Sequence, residues 1–183
     1  MQAEETFQEV ICDVFIFCKM YIKMIYSLVS NHLHDTHLLN MIAALDLNYW
    51  TALYASWNIH DVEDVVSEFV RDADNIWIIF TDDHEYVGYV GTFTSKKVAA
   101  HYGVQSQARF VELFVVESCR GNGVGRAAMH WLLNHTSRYI YLFCLPNLEA
   151  FYSEYGFVRQ HLVKTVIPYA GYPFLFMSLN SSN

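Results

Sequence analysis

At 183 residues and 54% hydrophobic content, the chain is long and apolar enough to bury one sizeable core. Its formal net charge is −8 with only 16% charged residues, which argues against a basic face for nucleic acid, so no nucleic-acid partner is expected. Cys12, Cys18, Cys119 and Cys144 form no C-x-x-C pair and no zinc-like spacing, so four free thiols in a reducing, cytoplasmic setting is the simplest reading.

The start, "MQAEET", is acidic, unlike a secretory n-region. Residues 10–29, "VICDVFIFCKMYIKMIYSLV", have the length of a bilayer span, but Asp13, Lys19 and Lys23 interrupt them. Ile11, Val14, Phe15, Cys18, Ile22, Ile25 and Val29 recur at helical spacing. This predicts a docked amphipathic helix, with a homodimer contact as one use of its stripe. A membrane-surface helix ranks second and a true span third. The polar stretch "NHLHDTH" (31–37) reads as a loop whose three histidines lack a carboxylate frame, and no metal site is expected there.

Helical patterns continue to about residue 58, so the first 50 residues are expected to form a helical N-terminal extension. "DVEDVVSEFVRDA" (61–73) has the acidic first turn of a helix start. The period then changes. "IWIIF" (76–80), the turn "TDDHE" and "YVGYVGTF" (86–93) predict a β-hairpin, and "RFVELFVV" (109–116) a further strand. Asp82, Asp83 and Glu85 read as solvated turn residues. His101 either borders a binding site or is a surface histidine.

A helix follows, with Val124, Ala128, Trp131, Leu132 and His135 along one side. "YIYLFCL" (139–145) suits a strand buried on both faces. A short helix, "NLEAFYSEY", ends at Gly156, with Phe157 placed for a C-cap contact. "HLVKTVI" and "FLFMSL", joined by "PYAGYP", predict a closing pair of strands. The order implies a mixed α/β architecture around one central sheet, a single domain over residues 1–183.

Between the strand at 109–116 and the next helix, "RGNGVG" (120–125) concentrates three of the eight glycines between Arg120 and Arg126. A strand, a glycine loop and a helix N-terminus together form an anion site, because backbone N–H groups converge on the positive helix end. A Rossmann fingerprint fails, since its third glycine falls on Arg126 and "YIYLFC" occupies the place of its acid. A P-loop fails for want of Gly-Lys-Ser/Thr. A plain tight turn remains open.

"RGNGVG" resembles the R/Q-x-x-G-x-G/A loop of the GNAT superfamily of acetyl-coenzyme A-dependent N-acetyltransferases. "FYSEYGF" (151–157), preceded by Asn147 and Ala150, is similar to a later family segment. The resemblance covers residues 76–179. The family's first strand is not evident in residues 1–50. It implies the GNAT (acyl-CoA N-acyltransferase) fold, a central mixed, mostly antiparallel sheet flanked by helices, and transfer of acetyl from acetyl-CoA to an amine. The acceptor is a small-molecule or peptide amine.

By the same resemblance, the N–H groups of Gly121, Asn122, Gly123, Val124, Gly125 and Arg126 would cradle the cofactor's pyrophosphate, with Arg120 adding charge. The backbone edge of Leu113, Phe114 and Val115 would pair with its pantetheine arm, in a splay between "ELFVV" and "YIYLFCL". Asn147 either bonds that arm or caps a helix.

An alkylamine has a pKa of about 10, so a proton must be removed before it attacks. Glu112 shares a strand face with Phe110, Phe114 and Val116 and is the base candidate, its apolar neighbours raising its proton affinity. The plain alternative is a salt bridge to Arg109 or a lysine. Tyr152 is implied as the acid for the departing thiolate, the alternative being a packing role. A strand N–H near Val115 would meet the oxyanion. A rival reading is a non-catalytic coenzyme A-binding module.

Overall fold

The structure, a computed structural model, describes residues 10–13, 23–56, 61–94, 108–136, 139–160 and 174–179. Eight strands form one sheet: β1 (Val10–Asp13), β2 (Lys23–Leu28), β3 (Ile76–Thr81), β4 (Tyr86–Phe93), β5 (Arg109–Val115), β6 (Ile140–Cys144), β7 (Val158–Arg159) and β8 (Leu175–Leu179). They lie in the order β1-β2-β3-β4-β5-β6-β8-β7. Among the described residues only β5 and β6 pair in parallel, and the other ladders are antiparallel.

The helix expected over residues 10–29 is corrected. Lys23–Leu28 is a strand antiparallel to β3, and Val10–Asp13 pairs with it in turn. This supplies the first strand that could not be seen in the sequence. Met24 and Tyr26 are buried while Ile25 and Ser27 are half-buried, an alternation of two. A short apolar run fits both periods, and pairing with β3 decides between them. Among the described residues the first α-helix begins at Thr36, after a 3-10 turn at Val29–His32. The expected strand "HLVKTVI", the "PYAGYP" turn and His101 lie outside the described residues.

Helix α1 (Thr36–Ser56) buries Leu39, Ile42 and Ala43. Helix α2 (Val62–Arg71) opens as its acidic first turn predicts: the Asp61 carboxylate accepts the Asp64 N–H at 2.8 Å. Removing this cap with Asp61→Ala is expected to cost about 0.5–2 kcal/mol, read as a lower urea midpoint at unchanged slope. Helix α3 (Val124–His135) buries Val124, Ala128, Trp131 and Leu132 as expected, whereas His135 is exposed and stacks on Trp131.

Helix α4 (Glu149–Ser153) is followed by a closed turn. Phe157 N–H donates to the Tyr152 carbonyl and Gly156 N–H to that of Ser153, the double bond pattern of a Schellman motif.

The pleat sorts the side chains into two cores. Trp77, Ile79, Val111, Leu142 and Met177 pack with α3 and α4 on one face. Ile76, Ile78, Phe110, Tyr141 and Phe176 pack with α1 and α2 on the other. The chain enters β5 through a buried polar node. Arg109 Nη2 donates to Asp72 at 3.0 Å and to the Thr92 carbonyl at 2.8 Å, and its Nε donates to Thr92 Oγ1 at 2.8 Å. Asp72 also accepts the Thr94 N–H at 3.1 Å and the Thr94 hydroxyl at 3.0 Å. The node ties the end of α2 to the start of β5.

Candidate active site

The parallel ladder between β5 and β6 has two rungs, Arg109↔Ile140 and Phe110↔Tyr141. Among the described residues the ladder ends at Phe110, where the splay is expected. Arg109 N–H donates to the Tyr139 carbonyl, on the β6 side, and Val116 N–H to Val87, on the β4 side. Backbone groups alternate along a strand, so odd-numbered residues of β5 face β6 and even-numbered ones face β4.

A Cβ placed on Gly88 of β4 would lie 2.2 Å from the Phe114 carbonyl oxygen, which agrees. Leu113 and Val115 therefore present their backbone to the gap. Phe114 does not, which corrects the expectation of three consecutive residues along this edge.

Below the gap, the Arg120 Nε donates to the Val115 carbonyl at 2.9 Å and ties the strand to the glycine loop. Gly121 (φ 78°) and Gly123 (φ 83°) are left-handed, a conformation that glycine takes without Cβ strain. Gly123 is the N-cap of α3 and no side chain caps it, so the first N–H groups of α3 are left for solvent or an anion. Asn122 is exposed, Gly125 half-buried, and Val124, 2% exposed, anchors the helix start in the core. Arg126 is drawn to Glu154 by an exposed ion pair, so its guanidinium is held toward the end of α4. Such a pair contributes little to stability.

Tyr152, 8% exposed, sits on α4 with its ring against Phe151 and Phe157 at 4.9 and 6.0 Å between centroids. Asn147 is exposed in the turn Pro146–Leu148, and the cap of α4 is Leu148. The capping role considered for Asn147 is therefore excluded.

Glu112 is buried, 8% exposed, on the α1–α2 face. It makes no salt bridge to Arg109, whose partner is Asp72. Instead the Tyr89 hydroxyl lies 3.0 Å from Glu112 Oε2 and 2.5 Å from Asp46 Oδ1. Burial, and then the Asp46 charge, push the Glu112 carboxyl well above the ordinary glutamate range, while the bond from Tyr89 opposes the shift. Burial and Asp46 likewise push up the Tyr86 phenol, so it stays neutral. Its hydroxyl has no hydrogen-bond partner among the described residues.

Asp46 and Tyr89 were missed by sequence reasoning. Asp46 continues the buried stripe Leu39, Ile42, Ala43 on α1 and is 0% exposed. An acid at a core spacing was the available signal.

Glu112 and Tyr152 thus belong to opposite faces of the sheet. Among the described residues no cluster of histidine, cysteine, aspartate or glutamate is arranged to hold a metal. No described helix is long and apolar enough to cross a membrane. Cys119 and Cys144 are free thiols.

Comparison with known proteins agrees with this geometry. Residues 72–159 match the model of the acetyltransferase (GNAT) domain. The match stops at Arg159, short of the expected residue 179. No curated protein matches the sequence.

Among solved structures, the chain is similar to a candidate acetyltransferase from Acinetobacter baylyi ADP1, with TM-score 0.62, 13% identity and coverage of 91% of this chain and 94% of that one. It is also similar to a spermidine N-acetyltransferase chimera from Vibrio cholerae, with TM-score 0.56, 13% identity and coverage of 87% and 96%. A GNAT-family acetyltransferase from Listeria monocytogenes gives TM-score 0.56, 13% identity and coverage of 86% and 95%. These likenesses are of fold. With the two-rung parallel pair, the left-handed glycine loop and the family match, residues 72–159 form an acetyltransferase (GNAT) domain.

Proposed function

We propose that this protein transfers the acetyl group of acetyl-CoA directly to a primary amine, with Glu112 as base and Tyr152 as acid. The splay carries the reading. β5 gives up its β6 partner after Phe110 and leaves the backbone of Leu113 and Val115 facing a gap, directly above an uncapped helix N-terminus. That combination fits an amide-bearing arm ending in a pyrophosphate. The N–H groups of residues 121–126 would hold the phosphates, Arg120 would add charge, and Leu113 and Val115 would pair with the arm. Asn147 lies on the turn after β6 and would bond the arm from the far side. Bound acetyl-CoA supplies a thioester for the amine to attack.

The chain's own groups then have separate tasks. Ionised Glu112, raised in proton affinity by its surroundings, takes the amine's proton, directly or through a water. The Val115 N–H is placed to stabilise an oxygen that gains charge. Tyr152, on the opposite face, donates a proton or a hydrogen bond to the sulfur as it leaves. The acceptor is an amine, offered to Glu112 from the α1–α2 face. The chain is read as one GNAT domain acting in the cytoplasm, and its N-terminal region remains the proposed homodimer contact.

Calorimetry tests the cofactor site. Acetyl-CoA and coenzyme A are expected to bind in the submillimolar range, NAD is not, and Gly123→Glu is expected to abolish binding by placing a side chain and negative charge at the α3 N-cap. Absence of binding by the unaltered protein would leave the glycines as a turn and end the transferase reading. Coenzyme A binding without acetylation across an amine library would favour the non-catalytic module.

A further inference from the structure

Asp46 and Glu112 come from distant elements, α1 and β5, and meet on the same phenol. The Tyr89 hydroxyl is 2.5 Å from Asp46 Oδ1 and 3.0 Å from Glu112 Oε2. A phenol carries one proton. It donates to one carboxylate, and the other contact is a hydrogen bond only when that carboxyl carries a proton and donates to the phenol oxygen. The surroundings are apolar: the Tyr89 ring lies edge-on to Phe69 at 5.0 Å and stacks on Phe114 at 5.9 Å. Two ionised carboxylates held so close in such a place repel strongly, and binding one proton between them relieves the repulsion.

We propose that Asp46 and Glu112 form a buried carboxyl pair that shares one proton across the Tyr89 hydroxyl, so that Asp46, acting through Tyr89, sets how tightly Glu112 holds a proton. Asp46 is then a positioning residue. Its kinetic consequence rests on Glu112 being the base; the shared proton does not.

Among the described residues, the titratable groups facing the pair are Tyr86 and Tyr89 on β4 and Glu68 on α2, the last bonded to Arg71. Burial and the Asp46 charge both favour the protonated Glu112. Below the raised range of Glu112 the trio holds a phenol proton and one carboxyl proton, with a net charge of −1. As pH rises the carboxyl proton leaves, and only then is Glu112 free to work. The amine's N–H bond breaks, its electron pair stays on nitrogen, and the proton goes to a Glu112 oxygen.

Infrared spectroscopy of the unaltered protein gives the first test. Ordinary carboxyls are ionised at neutral pH, so the pair is expected to leave a residual protonated-acid carbonyl band that shifts in deuterated water. The band should disappear in Glu112→Gln and in Asp46→Asn. No such band in the unaltered protein, or a band untouched by both substitutions, overturns the proposal.

Kinetics gives the second. In Asp46→Asn the acid limb of kcat/KM is expected to move to lower pH, by about one unit or more, whereas Tyr89→Phe, which removes the bond that opposes the shift, should move it to higher pH. A fall in rate with an unmoved limb would mark Asp46 as purely structural and overturn its tuning role. The infrared reading needs no acceptor, so a failure of acetyl transfer and a failure of the proton pair are told apart.

Discussion

Glu112→Gln is expected to lower kcat for acetyl transfer by about 10²–10⁴-fold, the usual contribution of a positioned base. Acetyl-CoA binding should stay near the unaltered value, because the glycine loop and the open backbone of Leu113 and Val115 are untouched. The residual rate should lose its acid limb, since the carboxyl that must be ionised to take the amine's proton is gone.

Stability should change in the opposite sense. The folded-state proton affinity of Glu112 is raised, so between the ordinary glutamate range and the raised value the folded chain holds a proton that the unfolded chain has lost. Stability therefore falls as pH rises through that window. The glutamine variant lacks this component, and urea midpoints measured against pH should show a shallower decline for it. Unchanged kcat with an intact acid limb would move the base elsewhere.

The second large effect falls on folding. Arg109→Met removes the buried one of two guanidiniums facing Asp72, whose side chain is 5% exposed, and leaves only the more exposed Arg71, 3.2 Å away, as counter-charge. The expected cost is about 3–5 kcal/mol, the range for breaking one partner out of a buried pair. Adding Asp72→Asn should recover most of it, because a neutral amide can still accept from Thr94. Equilibrium denaturation of the four proteins in the cycle measures this directly. A loss below about 1 kcal/mol would show that Arg71 and Thr94 alone neutralise Asp72.

These two sites also mark where the sequence was legible. The hairpin, β5, α2 and the α4 turn carried their own local signals: apolar strand runs, an acidic first turn and a glycine followed by phenylalanine. The glycine loop was legible because its chemistry is written in consecutive residues. Residues 23–28 were misread because six residues satisfy a helical stripe and a pleat equally, and only pairing with β3 separates the two. Glu112 could be chosen from its strand neighbours, but its partners could not. Asp46 and Tyr89 lie on other elements, and Arg109, a plausible neighbour along the chain, belongs to Asp72. Phe114 was counted with Leu113 and Val115 because backbone direction is absent from a string of letters.

The two-rung ladder has one more consequence, for how the chain avoids its own kind. Unpaired strand backbone is ordinarily a docking strip for a neighbouring chain and a seed for aggregation. Here the strip lies inside the sheet, between β5 and β6, rather than along its border. A foreign strand would have to wedge its side chains between two strands already joined at one end. A slender chain with amides but no side chains meets no such obstacle. That edge is thereby closed to polymerisation by its place between two strands, with no lysine or proline in residues 109–116 or 139–145 to guard it.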